Sequence, residues 1–295
     1  MRNTKPGQIV PFVGSEWERV RNSSHAYHDD QRRFGLNQAN KTIVGMVHLS
    51  ALPGSPRHQM SLEKIEAAAL KDAEALVENG IRQLMVENFG DVPFWQDAVP
   101  PIVIASMTRI ASRIRDHFSG IPLGINVLRN DGMAALAVAH AVEAQFIRVN
   151  VLCGARVTDQ GIIQGIAAKL LRSRRELGAE SIQVWADVNV KHSGPLTDQP
   201  VEEQVADTVH RGLADALIAS GTGTGQPTDL AEVQRFRRTS GETPIYVGSG
   251  VTFDNIQPLL EIADGVIVGT ALKHGADPLQ PIDPAAVRRL IASLS

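Results

Sequence analysis

From Lys41 to the C-terminus, short apolar segments alternate with segments whose apolar residues recur at helical spacing, and this alternation constrains the fold more than any other feature. The predicted strands are Ile43–Val47, Gln83–Glu87, Leu123–Val127, Phe146–Asn150, Ile182–Asn189, Ala216–Ala219 and the apolar runs within residues 244–251 and 263–270. Eight strand–helix units in one series predict an α/β fold, a closed (β/α)8 TIM barrel. An open, doubly wound sheet is the alternative, but no Gly-x-Gly-x-x-Gly motif follows the first strand.

Local signals mark the ends of several predicted helices. Ser61 is expected to cap the first helix, which Gly80 ends, and Thr228 is expected to cap a later one. Asp283 followed by Pro284 has the pattern of a cap and a first-turn proline, so the last helix should begin there. The other helices are predicted over Ile102–His117, Met133–Val142 and Ile162–Leu177, and from near Pro200.

Residues 1–40 differ from the rest of the chain. They are polar, carry six Lys or Arg against four Asp or Glu, and show no sustained apolar period. We therefore predict an N-terminal extension over residues 1–40 and a barrel domain over residues 41–295. A polar arm of this length is often ordered by another subunit, so we also expect a homo-oligomer.

Composition and charge restrict the class of protein. The net charge of -3 provides no basic surface for nucleic acid, so we predict no nucleic-acid partner. Cys153 is the single cysteine, which excludes an intrachain disulfide and fits a reducing compartment. No apolar run is long enough for a transmembrane segment, and we predict a cytoplasmic protein.

Two apolar runs end in glycine at the point where a strand should open into a loop. The first ends in Gly248-Ser249-Gly250 and the second in Gly269-Thr270, and a helical turn is expected after each. In (β/α)8 barrels the loops after strands seven and eight commonly bind phosphate, because glycines expose backbone N–H groups to the anion. Gly221-Thr222-Gly223, after strand six, can add N–H groups, so we predict a small phosphorylated ligand.

Polar residues recur with a period of two along several predicted strands, which predicts that they face the barrel lumen. These residues are Gln83 and Glu87 on strand two, Asn126 on strand three, Arg148 and Asn150 on strand four, and Gln183, Trp185, Asp187 and Asn189 on strand five. Buried charges require partners, and Arg148 with either Glu87 or Asp187 is the simplest pairing. The set is either a structural ion network or the floor of an active site.

The candidate roles follow from the residue types. Asp187 or Glu87 is the candidate general base, and Lys191 or His48 the candidate proton donor. Asn126, Arg148, Asn150 and Asn189 are candidate substrate-binding residues. No cofactor is evident. A divalent metal held by Glu87, Asp187 and a histidine is an alternative, although no short ligand spacing such as His-x-x-x-His occurs.

Several blocks of the chain resemble the BtpA family over roughly residues 41–275. The matching blocks are Gly45-Met46-Val47-His48-Leu49, Leu52-Pro53-Gly54-Ser55-Pro56, Arg148-Val149-Asn150-Val151, Val157-Thr158-Asp159-Gln160-Gly161, Ala186-Asp187-Val188 and Val247-Gly248-Ser249-Gly250-Val251-Thr252. The resemblance implies a phosphate-binding barrel. The family is named for a member linked to photosystem I biogenesis, and other members lie among sugar-metabolism genes. Two hypotheses result: an isomerase, epimerase or lyase acting on a sugar phosphate or nucleotide-like compound, and a non-catalytic assembly or stability factor.

Overall fold

Eight parallel strands close into a barrel in the computed structural model, which describes residues 41–221 and 228–294. The strands of the barrel are β1 (Thr42–His48), β2 (Gln83–Glu87), β3 (Leu123–Asn126), β4 (Phe146–Val149), β7 (Gln183–Val188), β9 (Ala216–Ala219), β10 (Ile245–Val247) and β11 (Gly265–Val268). Their order around the barrel is β1-β11-β10-β9-β7-β4-β3-β2, with β1 paired to β2. The predicted (β/α)8 barrel is therefore confirmed. The predicted extension, residues 1–40, lies outside the described residues.

Helices follow the strands around the barrel. They are α1 (Leu62–Glu78), α2 (Pro101–His117), α3 (Gly132–Ala141), α4 (Ala167–Glu176), α5 (Val201–Ala206, continued by a π-helical turn over Asp207–Arg211), α6 (Leu230–Thr239), α7 (Ile256–Ile262) and α8 (Pro284–Ala292). Their buried faces pack against the outward side chains of the strands in one aliphatic core. On β7 the outward residues Val184, Ala186 and Val188 all belong to this core, as the period of two predicts.

The lower part of the lumen is filled by a second, separate cluster that contains three aromatic side chains. Phe146, Trp185 and Tyr246 stack in sequence, with ring centroids 4.0 Å apart in each pair. Their rings close the lumen below the polar ends of the strands. The barrel is consequently a packed core with a polar layer at its carboxyl end, where the site lies.

One helix prediction was wrong at its start. Residues predicted as the beginning of the Ile162–Leu177 helix form a hairpin of β5 (Ala155–Thr158) and β6 (Gly161–Gln164), and α4 begins only at Ala167. The strand β8 (Ser193–Pro195) pairs with β5 and completes a small antiparallel sheet beside the barrel. The physical reason is local: the β-branched pair at Ile162 and Ile163 follows a tight turn and pairs across to β5.

Helix caps were predicted with mixed success. Ser61 and Asp283 cap α1 and α8 through their side chains. Thr228 does not cap α6, because Asp229 accepts the hydrogen bond from Ala231 N while the Thr228 hydroxyl donates to the carbonyl oxygen of Ser249. That contact ties the start of α6 to the loop after β10.

Candidate functional site

A cavity of about 500 Å³ opens at the carboxyl ends of the strands. A volume of this size is typical of a site for a small molecule. The residues that line it come from the ends of six elements or their following loops, and nine of them are among the predicted site residues. These nine are His48, Glu87, Arg148, Lys191, Gly248, Ser249, Gly250, Gly269 and Thr270. The barrel thus gathers residues that are far apart in the sequence.

One wall of the cavity consists of backbone N–H groups from the two glycine-ended loops. Within the described part of the chain, the N–H groups of Gly250 and Val251 after β10, and of Gly269 and Thr270 after β11, donate to no acceptor. A 3₁₀ turn begins at Thr270, so its first N–H groups are free of helical bonds as well. We call this wall the amide cradle. Their residues line the cavity, and backbone N–H groups without an acceptor beside a cavity suit an anion.

Glycine is favoured at Gly248 and at Gly250 for different physical reasons, and only Gly250 belongs to the cradle, since Gly248 N donates to the Ala219 carbonyl oxygen at 2.8 Å. Gly250 has a φ of 65°, which favours glycine. A Cβ atom on Gly248 would lie 2.4 Å from Ile218 Cγ2, so this position is small because the lumen packs against it. The helical turn expected after this run is present: Ile256 N donates to the Thr252 carbonyl oxygen at 3.1 Å, and the helix α7 itself begins at Ile256. The Asn255 side chain accepts from Thr252 N at 2.7 Å and donates to the Gly250 carbonyl oxygen at 2.8 Å, which fixes the loop.

At the floor of the cavity, Arg148 forms a buried ion pair with Asp187. Arg148 Nε and Nη2 each donate to one oxygen of Asp187 at 2.8 Å. Asp187 also accepts from Asn150 Nδ2 at 3.3 Å and from the Ser220 hydroxyl at 2.5 Å. The predicted pairing of Arg148 with Asp187 is present. Because four donors occupy the two Asp187 oxygens, this carboxylate has little capacity left to accept a substrate proton.

Glu87 is the opposite case. Its side chain is 4% exposed, yet its carboxylate makes no hydrogen bond to any described residue. Among the described residues, the basic side chain within 4.0 Å of this carboxylate is His48, whose Nε2 lies 3.8 Å from Glu87 Oε1. A buried carboxylate without a donor is costly, and such groups concentrate where ligands bind. Of the two candidate bases, Glu87 therefore has its oxygens open to the cavity.

His48 ends β1 and is held in one orientation. Its ring stacks on Phe89 with centroids 4.4 Å apart, and its Nδ1 lies 3.3 Å from the Pro278 carbonyl oxygen. A carbonyl only accepts, so this contact requires the proton on Nδ1. Burial, reinforced by the charges of Lys273 and Lys191, lowers the pKa of His48 from 6.5 to about 3. The ring is therefore neutral at pH 7, and its Nε2 acts toward Glu87 as an acceptor, not as an acid.

Lys191 follows β7 and lines the cavity with Glu87 and Arg148. Its backbone is fixed, because Arg129 Nη2 donates to the Lys191 carbonyl oxygen at 2.6 Å. Burial lowers the pKa of the Lys191 amine, and the negative charge of Glu87 offsets part of this effect. A larger fraction of the amine is thus unprotonated than for an exposed lysine.

The predicted asparagines fall in different places. Asn126 lies beside Glu87 in the strand register and donates to the Arg148 carbonyl and to Asn150 Oδ1 at 3.1 and 3.2 Å. Asn150 bonds to Asp187, so both belong to the floor network. Asn189 does not line this cavity: β7 ends at Val188, Asn189 has a φ of 57°, and its side chain bonds Arg156 and Glu232. Together with Asn150 and Asp187, it lines a separate cavity of about 150 Å³. The period of two cannot extend past the end of a strand.

Other predicted positions are not assembled or lie outside the described residues. Gly221 is buried after β9, whereas Thr222 and Gly223 fall in the gap at 222–227. The proposed metal set of Glu87, Asp187 and a histidine is not gathered, since the described residues contain no cluster of three or more such side chains suited to a metal. Asp187 faces Arg148 instead.

Sequence reasoning missed Arg129, Ser220 and Asn255, which position the Lys191 backbone, Asp187 and the cradle loop respectively. Ser220 directly follows β9, so the same strand-end argument would have found it. Arg129 and Asn255 lie in loops, where no periodic signal predicts the direction of a side chain.

Comparison with known sequences places the chain in a family. The sequence model described as the BtpA family matches residues 39–295. The chain belongs to the BtpA family. An uncharacterized member from Thermococcus kodakarensis is 47% identical over 85% of this chain and 94% of its own length. The photosystem I biogenesis protein BtpA of Synechocystis is 43% identical over 89% of this chain and 91% of its own length.

Solved structures similar to this BtpA-family chain are barrels. Phosphoribosyl anthranilate isomerase from Thermus thermophilus has a TM-score of 0.51 and 12% identity, over 86% of this chain and 98% of that chain. A protein from Streptococcus mutans described as KGPDC has a TM-score of 0.54 and 11% identity with the same coverage of both chains. At these identities the likeness shows the fold alone. Of the helices in the described ranges, none combines the length and the apolar character needed to cross a membrane.

Proposed function

We propose that this BtpA-family chain is an enzyme that acts on a small phosphorylated metabolite, a sugar phosphate or a nucleotide-like compound, by isomerase, epimerase or lyase chemistry. The observation that carries the proposal is the cavity in which the unpartnered carboxylate of Glu87 and the amide cradle line a common space. An anion anchor and a positioned base are the two parts that proton abstraction from a phosphorylated substrate requires.

In this mechanism the amide cradle holds the phosphate and thereby fixes the carbon skeleton across the cavity. Glu87 removes a proton from a carbon beside a carbonyl group, because no hydrogen bond to a described residue competes for its oxygens. Neutral His48 then presents the lone pair of Nε2 to the protonated Glu87, at 3.8 Å from Oε1. Lys191, on the same cavity, is the group that activates the carbonyl.

The comparisons support the substrate class without identifying the substrate. The Thermus barrel is named phosphoribosyl anthranilate isomerase, and its fold is similar to that of this chain, with a TM-score of 0.51. In such barrels the loops after strands seven and eight, the positions of the amide cradle, commonly bind phosphate. A metal-dependent variant of the mechanism stays a proposal that added Mg²⁺ in the binding assay would test.

The second candidate is a non-catalytic assembly or stability factor. It is favoured by one observation, the name of the Synechocystis relative at 43% identity. Under this alternative the cavity would bind no metabolite, and an outer surface of the barrel would contact a protein partner. The two candidates therefore differ in whether phosphate esters bind.

Binding is tested by a thermal-shift screen of phosphorylated metabolites, starting with glycerol 3-phosphate and ribose 5-phosphate. A ligand at about 100 times its Kd should stabilise the native state by about 2.7 kcal/mol. Thr270→Asp should weaken binding by roughly tenfold or more, because it adds a negative charge beside the phosphate. Thr270→Asn is the matched control, since it has the same shape without the charge. Equal affinity in both variants, or no response from the wild type to a broad panel, would contradict the proposal.

A further inference from the structure

Two lysines near the barrel mouth have opposite environments. Lys273 is buried and ion-paired, with its Nζ 2.6 Å from Asp72 Oδ2. Lys191 lines the cavity, and its Nζ makes no hydrogen bond or ion pair with any described residue. The Arg129 bond to its carbonyl holds the backbone in place and leaves the amine unengaged.

The surroundings of Lys191 suit an amine that reacts as a nucleophile. Glu87 lines the same cavity and has open oxygens that can carry protons to and from a reacting group. Burial of the Lys191 side chain favours the neutral amine, which is the form with a lone pair. The amide cradle lines the same cavity, so a phosphate bound there would hold the rest of a small molecule near the amine.

We propose that Lys191 forms an imine with the carbonyl carbon of a phosphorylated aldehyde or ketone whose phosphate occupies the amide cradle. This inference rests on the proposed function and names its substrate class. It also adds a covalent role to the activation of the carbonyl by Lys191.

The step balances without any further reagent. The Lys191 Nζ lone pair attacks the carbonyl carbon, and the electrons of the carbonyl π bond move to oxygen, which takes a proton to give a carbinolamine. The nitrogen then loses a proton, Glu87 being the carrier, and the hydroxyl group leaves as water after protonation. One C–N double bond forms, the C–O bond breaks, and one water is released. The protonated imine withdraws electrons from the neighbouring carbon, which eases proton removal by Glu87.

The adduct is tested by trapping. The full chain is incubated with glyceraldehyde 3-phosphate and cyanoborohydride, which delivers hydride to the imine carbon and leaves a stable secondary amine. Intact mass should show one added group, and peptide mapping should find it on Lys191. Unphosphorylated glyceraldehyde should give at least roughly tenfold less adduct at Lys191, because the cradle contributes charge-assisted hydrogen bonds to phosphate alone.

Three variants control the trapping experiment. Lys191→Met should abolish the phosphate-dependent adduct, with Lys191→Arg as a second variant that retains the positive charge. Lys169→Met changes an exposed lysine on α4 and should leave the adduct in place. Circular dichroism of each variant establishes that it is folded.

Binding of glycerol 3-phosphate, which has no carbonyl, separates the two proposals. If it binds at the cradle while glyceraldehyde 3-phosphate leaves Lys191 unmodified, the imine is refuted and the proposed function stands. If neither compound binds or reacts, both proposals fail. An adduct spread equally over exposed lysines would also overturn the inference.

Discussion

The two buried carboxylates of the lumen, Asp187 and Glu87, lie in the same polar layer but in different electrostatic environments. Asp187 accepts four hydrogen bonds, two of them from Arg148, and its charge is compensated within the fold. Glu87 accepts none from a described residue. Burial alone therefore does not identify a catalytic group. A carboxylate whose lone pairs already accept hydrogen bonds from the surrounding chain is a structural charge. A carboxylate whose lone pairs are not used in this way is available for chemistry.

The largest expected effect on stability is at Asp187, the carboxylate whose charge is compensated by Arg148. Asp187→Asn leaves the buried Arg148 guanidinium without its counter-charge, which should destabilise the protein by about 3–5 kcal/mol in urea unfolding. Glu202→Gln is the matched control, because Glu202 and Arg235 form a bidentate pair of similar geometry with both side chains 42% exposed. The control should lose much less stability, because solvent screens an exposed ion pair. Similar losses for both variants would show that burial of the Arg148 pair does not matter.

At Glu87 we expect a change in stability of the opposite sign. Glu87→Gln removes a buried charge that accepts no hydrogen bond from a described residue, so the free energy of unfolding should stay level or rise by about 0.5–2 kcal/mol. In the same variant, the rate at which deuterium from the solvent exchanges into a bound phosphorylated aldehyde or ketone should fall by about a hundredfold or more. Urea unfolding and NMR measure the two quantities. A stability loss as large as that of Asp187→Asn would remove the distinction between the carboxylates.

The third expected effect is on the pH dependence of stability, through His48. The pKa of about 3 in the folded chain lies below the ordinary 6.5, so between these values the unfolded chain binds a proton that the folded chain does not. The contribution of His48 is therefore complete above about pH 6.5 and falls as the pH drops toward 3. His48→Gln should flatten this slope relative to the wild type in urea unfolding at several pH values. An unchanged slope would mean that His48 is not held neutral.

Much of the fold could be predicted because its signals are local. The alternation of strand and helix patterns predicted the barrel, and β2 and β9 match their predicted bounds. The prediction failed at Ile162, where a short apolar run fits either a helix or a strand, and the tight turn before it decided for a hairpin. The period of two along each strand also predicted that Glu87, Arg148 and Asp187 face the lumen, because this pattern does not depend on the neighbouring strands.

The sequence by itself determined which side chains point into the barrel and where the glycine-ended loops would meet. Only the tertiary structure decided that Arg148 pairs with Asp187 and not with Glu87, that His48 is neutral, and that the Lys191 amine has no partner among the described residues. The physical reason is that periodicity is a property of one strand. Pairing and desolvation depend on the register between strands and on loops such as the one containing Arg129, which the chain brings together only when the barrel closes.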